Sequence, residues 1–147
     1  MTRVPPRGID HGIPEDRRWS YGETPWREIP PCPPCARVIV DNDFAGDPDD
    51  LYQLVHHLLS PSVKIAGVVA SHLRENDPIT TSTTTATDAE TIVLDLFARM
   101  GLTSTELVWR GSEVALPDPQ TPIDSPAVRG IITEALKDDD TPLYYAA

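Results

Sequence analysis

The chain has 147 residues, a formal net charge of −11 and 16 prolines, with an isoelectric point near 4.6. That length allows one domain with a sizeable core, while the acidity excludes anionic partners such as nucleic acid or a negatively charged membrane surface. No apolar run approaches the roughly 20 residues needed to span a bilayer.

Residues 1–36 hold eight of the prolines and show no periodic apolar pattern. Such a segment cannot bury enough surface to offset its ordering entropy, so a disordered extension is expected. Arg17-Arg18 is not followed by the apolar stretch of an export signal. Cys32-Pro33-Pro34-Cys35 has the spacing of a redox or metal pair, but no second Cys pair or nearby His accompanies it. Two free thiols suit a reducing cytoplasm.

Residues 37–147 read as one α/β domain. Val38, Ile39 and Val40 have the branched, unbroken apolar character of a strand buried on both faces, as in parallel sheets covered by helices. Five carboxylates follow within ten residues: Asp41, Asp43, Asp47, Asp49 and Asp50, with no Lys or Arg among them. They would stand at a strand's carboxyl end, where open α/β sheets place ligands. Held together they repel one another, and a hard divalent ion with oxygen ligands relieves the repulsion. Helix initiation accounts for part of the cluster, with Asp47 as N-cap and Pro48 as first helical residue. It leaves Asp41 and Asp43 unexplained.

Leu51, Leu54, Val55, Leu58 and Leu59 form one helical stripe, stopped by Ser60-Pro61. His56 and His57 read as surface or second-layer residues of that helix. Val63 to Ala70 is a second buried strand, and His72 and Asn76 follow it at the same sheet edge as the acidic cluster. Thr80 to Thr87, with seven Thr or Ser among eight residues, reads as a polar loop ending in a helix cap. Ala89, Ile92, Val93, Leu96, Phe97 and Met100 make an amphipathic stripe that Gly101 ends. Glu106 to Trp109 reads as a short strand, and Gly111 to Ser125 as a Pro-rich loop. Ser125 caps a helix with Pro126 at its first position and an inner face of Val128, Ile131, Ile132, Ala135 and Leu136. Lys137 to Thr141 turns the chain, and Leu143 begins a last strand. This alternation predicts a doubly wound, mainly parallel sheet with helices on both faces.

Three acidic patterns can be compared with the cluster. An EF-hand loop fits Asp41, Asp43 and Gly46, but not Ala45 or Tyr52, and needs a helix where this chain has a strand. A haloacid-dehalogenase-type phosphatase expects Thr or Val where Ala45 stands. The stretch resembles most closely the opening of the inosine-uridine-preferring nucleoside hydrolases, an apolar strand followed by Asp-x-Asp-x-Gly-x-Asp-Asp. Asp41, Asn42 and Asp43 match its first half, Gly46 its glycine, and Asp49 with Asp50 its closing pair, with two extra residues in the loop and the additional acid Asp47. The layout of that family's first helix and second strand continues through Val69.

The resemblance implies hydrolysis of the N-glycosidic bond of ribonucleosides, in nucleoside salvage, by a homo-oligomeric enzyme that uses Ca²⁺. It implies Asp43 as metal ligand and general base, Asp50 as bidentate metal ligand, Asp49 as acceptor of a ribose hydroxyl, and Asn76 as a sugar contact. Asp41 would orient the loop. Later family segments, a Gly-Pro-Leu-Thr-Asn-like turn and further Asp and His residues, do not occur in the sequence, so it reads as the N-terminal half of such an enzyme, expected to be inactive alone. A non-catalytic Ca²⁺-binding or interaction module using the same loop is the alternative.

Overall fold

The computed structural model describes residues 13–23 and 34–147. Within them, four strands form one sheet: β1 (Ala36–Asn42), β2 (Val63–Ala70), β3 (Val108–Arg110) and β4 (Leu143–Ala146). Three helices connect them: α1 (Asp49–Leu58), α2 (Thr85–Met100) and α3 (Pro126–Ala135). The sheet order is β3-β2-β1-β4 and every pairing is parallel. The chain thus forms an α/β fold.

Alternation along β1 assigns its side chains to two cores. Val38 and Val40 join Ile65, Val68 and Val108 of the sheet with Leu54, Leu58, Ala89, Val93 and Phe97 of α1 and α2. Ile39 joins Val69 and Ala127, with Trp109, Ile131 and Leu143 packed around them, on the α3 side. Helices therefore cover both faces. The β1–β2 register slips between Val38 and Ile39, whose partners are Ile65 and Gly67, so Ala66 is the extra residue of a bulge.

Several local features differ from the sequence reading. The first helix starts at Asp49 with Pro48 as its N-cap, one residue on from the expected Asp47 cap, and no side chain caps it. Helix α2 begins inside the Thr-rich run, at Thr85. Glu113 explains this start: its carboxylate accepts the Ala86 and Thr87 amides, each at 3.0 Å, and the Thr87 hydroxyl. A carboxylate from 26 residues away thus satisfies the free N–H groups of the first turn. Gly101 ends α2 in the left-handed conformation, φ 71, as expected. The third strand starts two residues later than read and ends one later, because Thr105–Leu107 form a 3₁₀ turn.

Ser125 does cap α3, accepting the Val128 amide at 3.2 Å. The inner face of α3 is only partly the expected one: Ile131 packs against the smaller core, but its other expected members do not. Ala127 and Glu134 are buried, while Val128, Ile132 and Leu136 are 39%, 52% and 79% exposed. Two contacts turn the helix. The Trp109 ring occupies the space beside Gly130 and Gly67, where an added Cβ would stand 2.5 and 2.3 Å from ring carbons. Glu134 is drawn inward by Arg37 of β1, whose guanidinium lies 2.7 Å from its carboxylate.

The expected extension, residues 1–36, also needs correction where it is described. Trp19 is buried in the larger core; its amide donates to the Gly101 carbonyl at 2.9 Å and its indole N–H to the Met100 carbonyl at 2.9 Å. The Tyr21 hydroxyl accepts the Ile65 amide at 2.8 Å and donates to the Val63 carbonyl at 3.3 Å. Two aromatic side chains thus dock residues 13–23 across the end of α2 and the start of β2. Of the cysteine pair, Cys32 lies outside the described residues, and Cys35 is exposed with its thiol donating to the Ser62 carbonyl. Among the described residues no helix is long and apolar enough to cross a membrane.

Candidate functional site

From β1 the chain proceeds outward to β2 and β3 on one side, then returns to place β4 on the other. The strand order therefore reverses between β1 and β4, and the crevice beyond their carboxyl ends is where doubly wound sheets bind ligands. Asp41 and Asn42 are the last residues of β1, and the acidic loop follows directly.

The two strand-end residues point to opposite faces and each is anchored. Asp41, on the Ile39 face, accepts the Ser71 hydroxyl on one carboxylate oxygen and the Tyr145 hydroxyl on the other. Asn42, on the Val40 face, donates its side-chain amide to Gln53 of α1, and its carbonyl accepts the Ser71 amide at 3.0 Å. The loop then turns tightly, the Gly46 amide donating to the Asp43 carbonyl at 2.7 Å. Phe44, 2% exposed, inserts into the core and holds the turn down.

This arrangement brings Asp43 and Asp50 together. Asp50, half-buried in the first turn of α1, has its carboxyl pushed up to about 6, first by burial, then by the hydrogen bond and charge of Asp43, and further by Asp49 and Asp47. Two acids competing for one ionised state in this way are a strained pair that a cation or a shared proton relieves. Asp49 and Asp47 are exposed beside them. Among the described residues, no group of three or more His, Cys, Asp or Glu side chains is gathered closely enough to hold a metal ion. The acids thus split into a converging pair, Asp43 with Asp50, an anchoring residue, Asp41, and two solvent-facing charges.

Asn76 is exposed in the turn after β2, with φ 58. Asn tolerates this left-handed conformation better than most residues, which gives it a local reason to be there. Among the described residues no hydrogen bond joins it to the acidic loop. His72 is half-buried next to Ser71, and His57 has its imidazole pKa lowered by burial and by neighbouring His56.

Tyr145, Ser71 and Gln53 were not singled out from the sequence. Tyr145 could have been found: in a doubly wound order the fourth strand lies beside the first, and a phenol near its carboxyl end falls next to the Asp41 tip. Ser71 and Gln53 carry no comparable signal. Compared with known proteins, the chain matches no family model, no curated protein and no solved structure.

Proposed function

We propose that this chain contributes the acidic loop of a nucleoside hydrolase-type enzyme, which cleaves the N-glycosidic bond of ribonucleosides to base and ribose. The observation that supports this reading best is the meeting of Asp43 and Asp50 at the carboxyl end of β1, beside the switch point, with the Asp50 carboxyl raised to about 6.

The pair fits a Ca²⁺ ion in part. Two carboxylates offer up to about four of the six to eight oxygens that Ca²⁺ takes, and water, substrate hydroxyls and further protein groups would complete the shell. When bound, the ion supplies charge that acidifies a water and orients ribose hydroxyls. Asp43 accepts the proton of the attacking water as it adds to the anomeric carbon. The bond from that carbon to the base nitrogen breaks through an oxocarbenium-like state, its electron pair leaving with the base, which takes up a proton. Asp50 fixes the loop on the ion, Asp49 accepts a ribose hydroxyl, and Asn76 donates to the sugar. On this reading the protein works as a homo-oligomeric salvage enzyme of the cytoplasm.

Calorimetric titration with Ca²⁺, repeated with ribose present, tests the site. Submillimolar Ca²⁺ binding that ribose tightens supports the reading. Submillimolar Ca²⁺ binding that ribose leaves unchanged replaces the enzyme with a cation-binding module. In an active enzyme carrying this loop, release of ribose from inosine or uridine at the parental rate by Asp43→Ala would exclude Asp43 as the base.

A further inference from the structure

We infer that Tyr145 is a positioning residue, which holds the acidic loop in place by fixing Asp41 at the tip of the central strand. In the β1–β4 register Tyr145 stands opposite Ile39. Asp41 lies two residues further along β1 and so on the same face as Ile39. The phenol of Tyr145 leans along the strands toward their carboxyl ends and donates to Asp41, while Ser71 of the segment after β2 donates to the other carboxylate oxygen. Three neighbouring chain segments, after β2, in β1 and in β4, are thereby joined through one carboxylate.

The consequence falls on Asp43. Both oxygens of Asp41 are engaged by hydroxyls, so Asp41 is spent on holding the strand tip. Only Asp43 leads on into the Asp43–Gly46 turn. Without the Tyr145 hydroxyl, Asp41 keeps Ser71 as its one partner, and the tip of β1 can rotate about that remaining contact. Burial raises the Tyr145 phenol pKa, and its hydrogen bond to Asp41 raises it further, so the hydroxyl stays protonated as the donor throughout the physiological range.

The test is Tyr145→Phe, with Tyr144→Phe as control, since the adjacent side chain points to the other face of β4. The first readout is amide hydrogen exchange at Gly46, whose N–H reports closure of the turn on the Asp43 carbonyl. Tyr145→Phe should exchange several-fold faster there, with protection of Val68 and Val93 amides unchanged, and Ser71→Ala should act in the same direction. The second readout rests on the cation-site reading above: Ca²⁺ affinity should fall about tenfold in Tyr145→Phe, the worth of a hydrogen bond to a charged group, and hold in Tyr144→Phe. Faster Gly46 exchange in a protein whose parent binds no Ca²⁺ would sustain Tyr145 and discard the cation site. Parental Gly46 protection in Tyr145→Phe would overturn the positioning role.

Discussion

The Arg37 guanidinium donates to the Glu134 carboxylate at 2.7 Å, and each of these side chains is only 5% exposed. Arg37 also donates to the carbonyls of Thr141, Glu134 and Asp139, so a single buried side chain ties the start of β1 to the end of α3 and to the turn before β4. Removing Arg37 leaves the buried Glu134 carboxylate with Lys137 as its remaining cation partner. Arg37→Ala should therefore cost about 3–5 kcal/mol, read from urea unfolding; a cost under about 1 kcal/mol would show the pair to be solvated.

The same pair sets part of the acid sensitivity. Burial pushes the Glu134 carboxyl up, but the hydrogen bonds and charges of Lys137 and Arg37 outweigh it, so its folded pKa lies below the ordinary 4.5. A lowered folded pKa means the unfolded chain binds the proton more readily. The stabilisation is then complete above 4.5 and disappears as pH falls through the folded value. Glu134→Gln should lose stability at pH 7 and show a flatter decline below pH 4.5 than the parent; parallel acid limbs would assign acid sensitivity to other carboxylates.

Trp109 against Gly130 and Gly67 gives a steric prediction. A methyl group at Gly130 would overlap the indole ring, and overpacking of this kind costs typically about 1–3 kcal/mol. Gly130→Ala should be destabilising although Ala favours helices over Gly by about 1 kcal/mol. Thermal unfolding reads the sign directly, and a stabilised Gly130→Ala would mean that the ring moves aside freely.

These contacts explain how far the sequence was legible. Where apolar periodicity alone decides, as at Leu54 and Leu58 of α1 or Ala89, Val93 and Phe97 of α2, the buried faces followed from spacing. On α3 the rule failed because burial there is set by partners distant in sequence. Trp109 needs a glycine to lie against and Arg37 needs a carboxylate, so Gly130 and Glu134 face inward in place of Val128 and Ile132. The acidic loop shows the same division. Its position at a strand tip could be read from Val38 to Asp43, but the anchoring of Asp41 depends on Ser71 and Tyr145, which only the strand order brings near.

Trp19 tests the boundary of the folded unit. Its ring is 9% exposed and belongs to the larger core cluster, and its indole N–H donates to the Met100 carbonyl. If residues 13–23 are part of the fold, Trp19→Ala should cost about 3–5 kcal/mol, as for other buried aromatic truncations. A loss under about 1 kcal/mol in chemical denaturation would return the boundary to residue 36.

The Asp43–Asp50 pair should place stability and binding in opposition. Burial first, then the hydrogen bond and charge of Asp43, move the Asp50 carboxyl from 3.8 to about 6, a displacement equivalent to about 3 kcal/mol in a dry site; solvent around this half-buried group reduces that to about 1 kcal/mol. Asp50→Asn removes the repelling charge, so in chelator at pH 7 it should be the more stable protein by about that amount. Added Ca²⁺ should then reverse the order, because the parent gains RT ln(1 + [Ca²⁺]/Kd), about 2.7 kcal/mol at a hundredfold excess over Kd, and the variant does not. Thermal melts of both proteins with and without Ca²⁺ measure all four values. An Asp50→Asn variant less stable than the parent in chelator would mean the carboxylate is held by favourable contacts, and the pair would lose its standing as a strained site awaiting a cation.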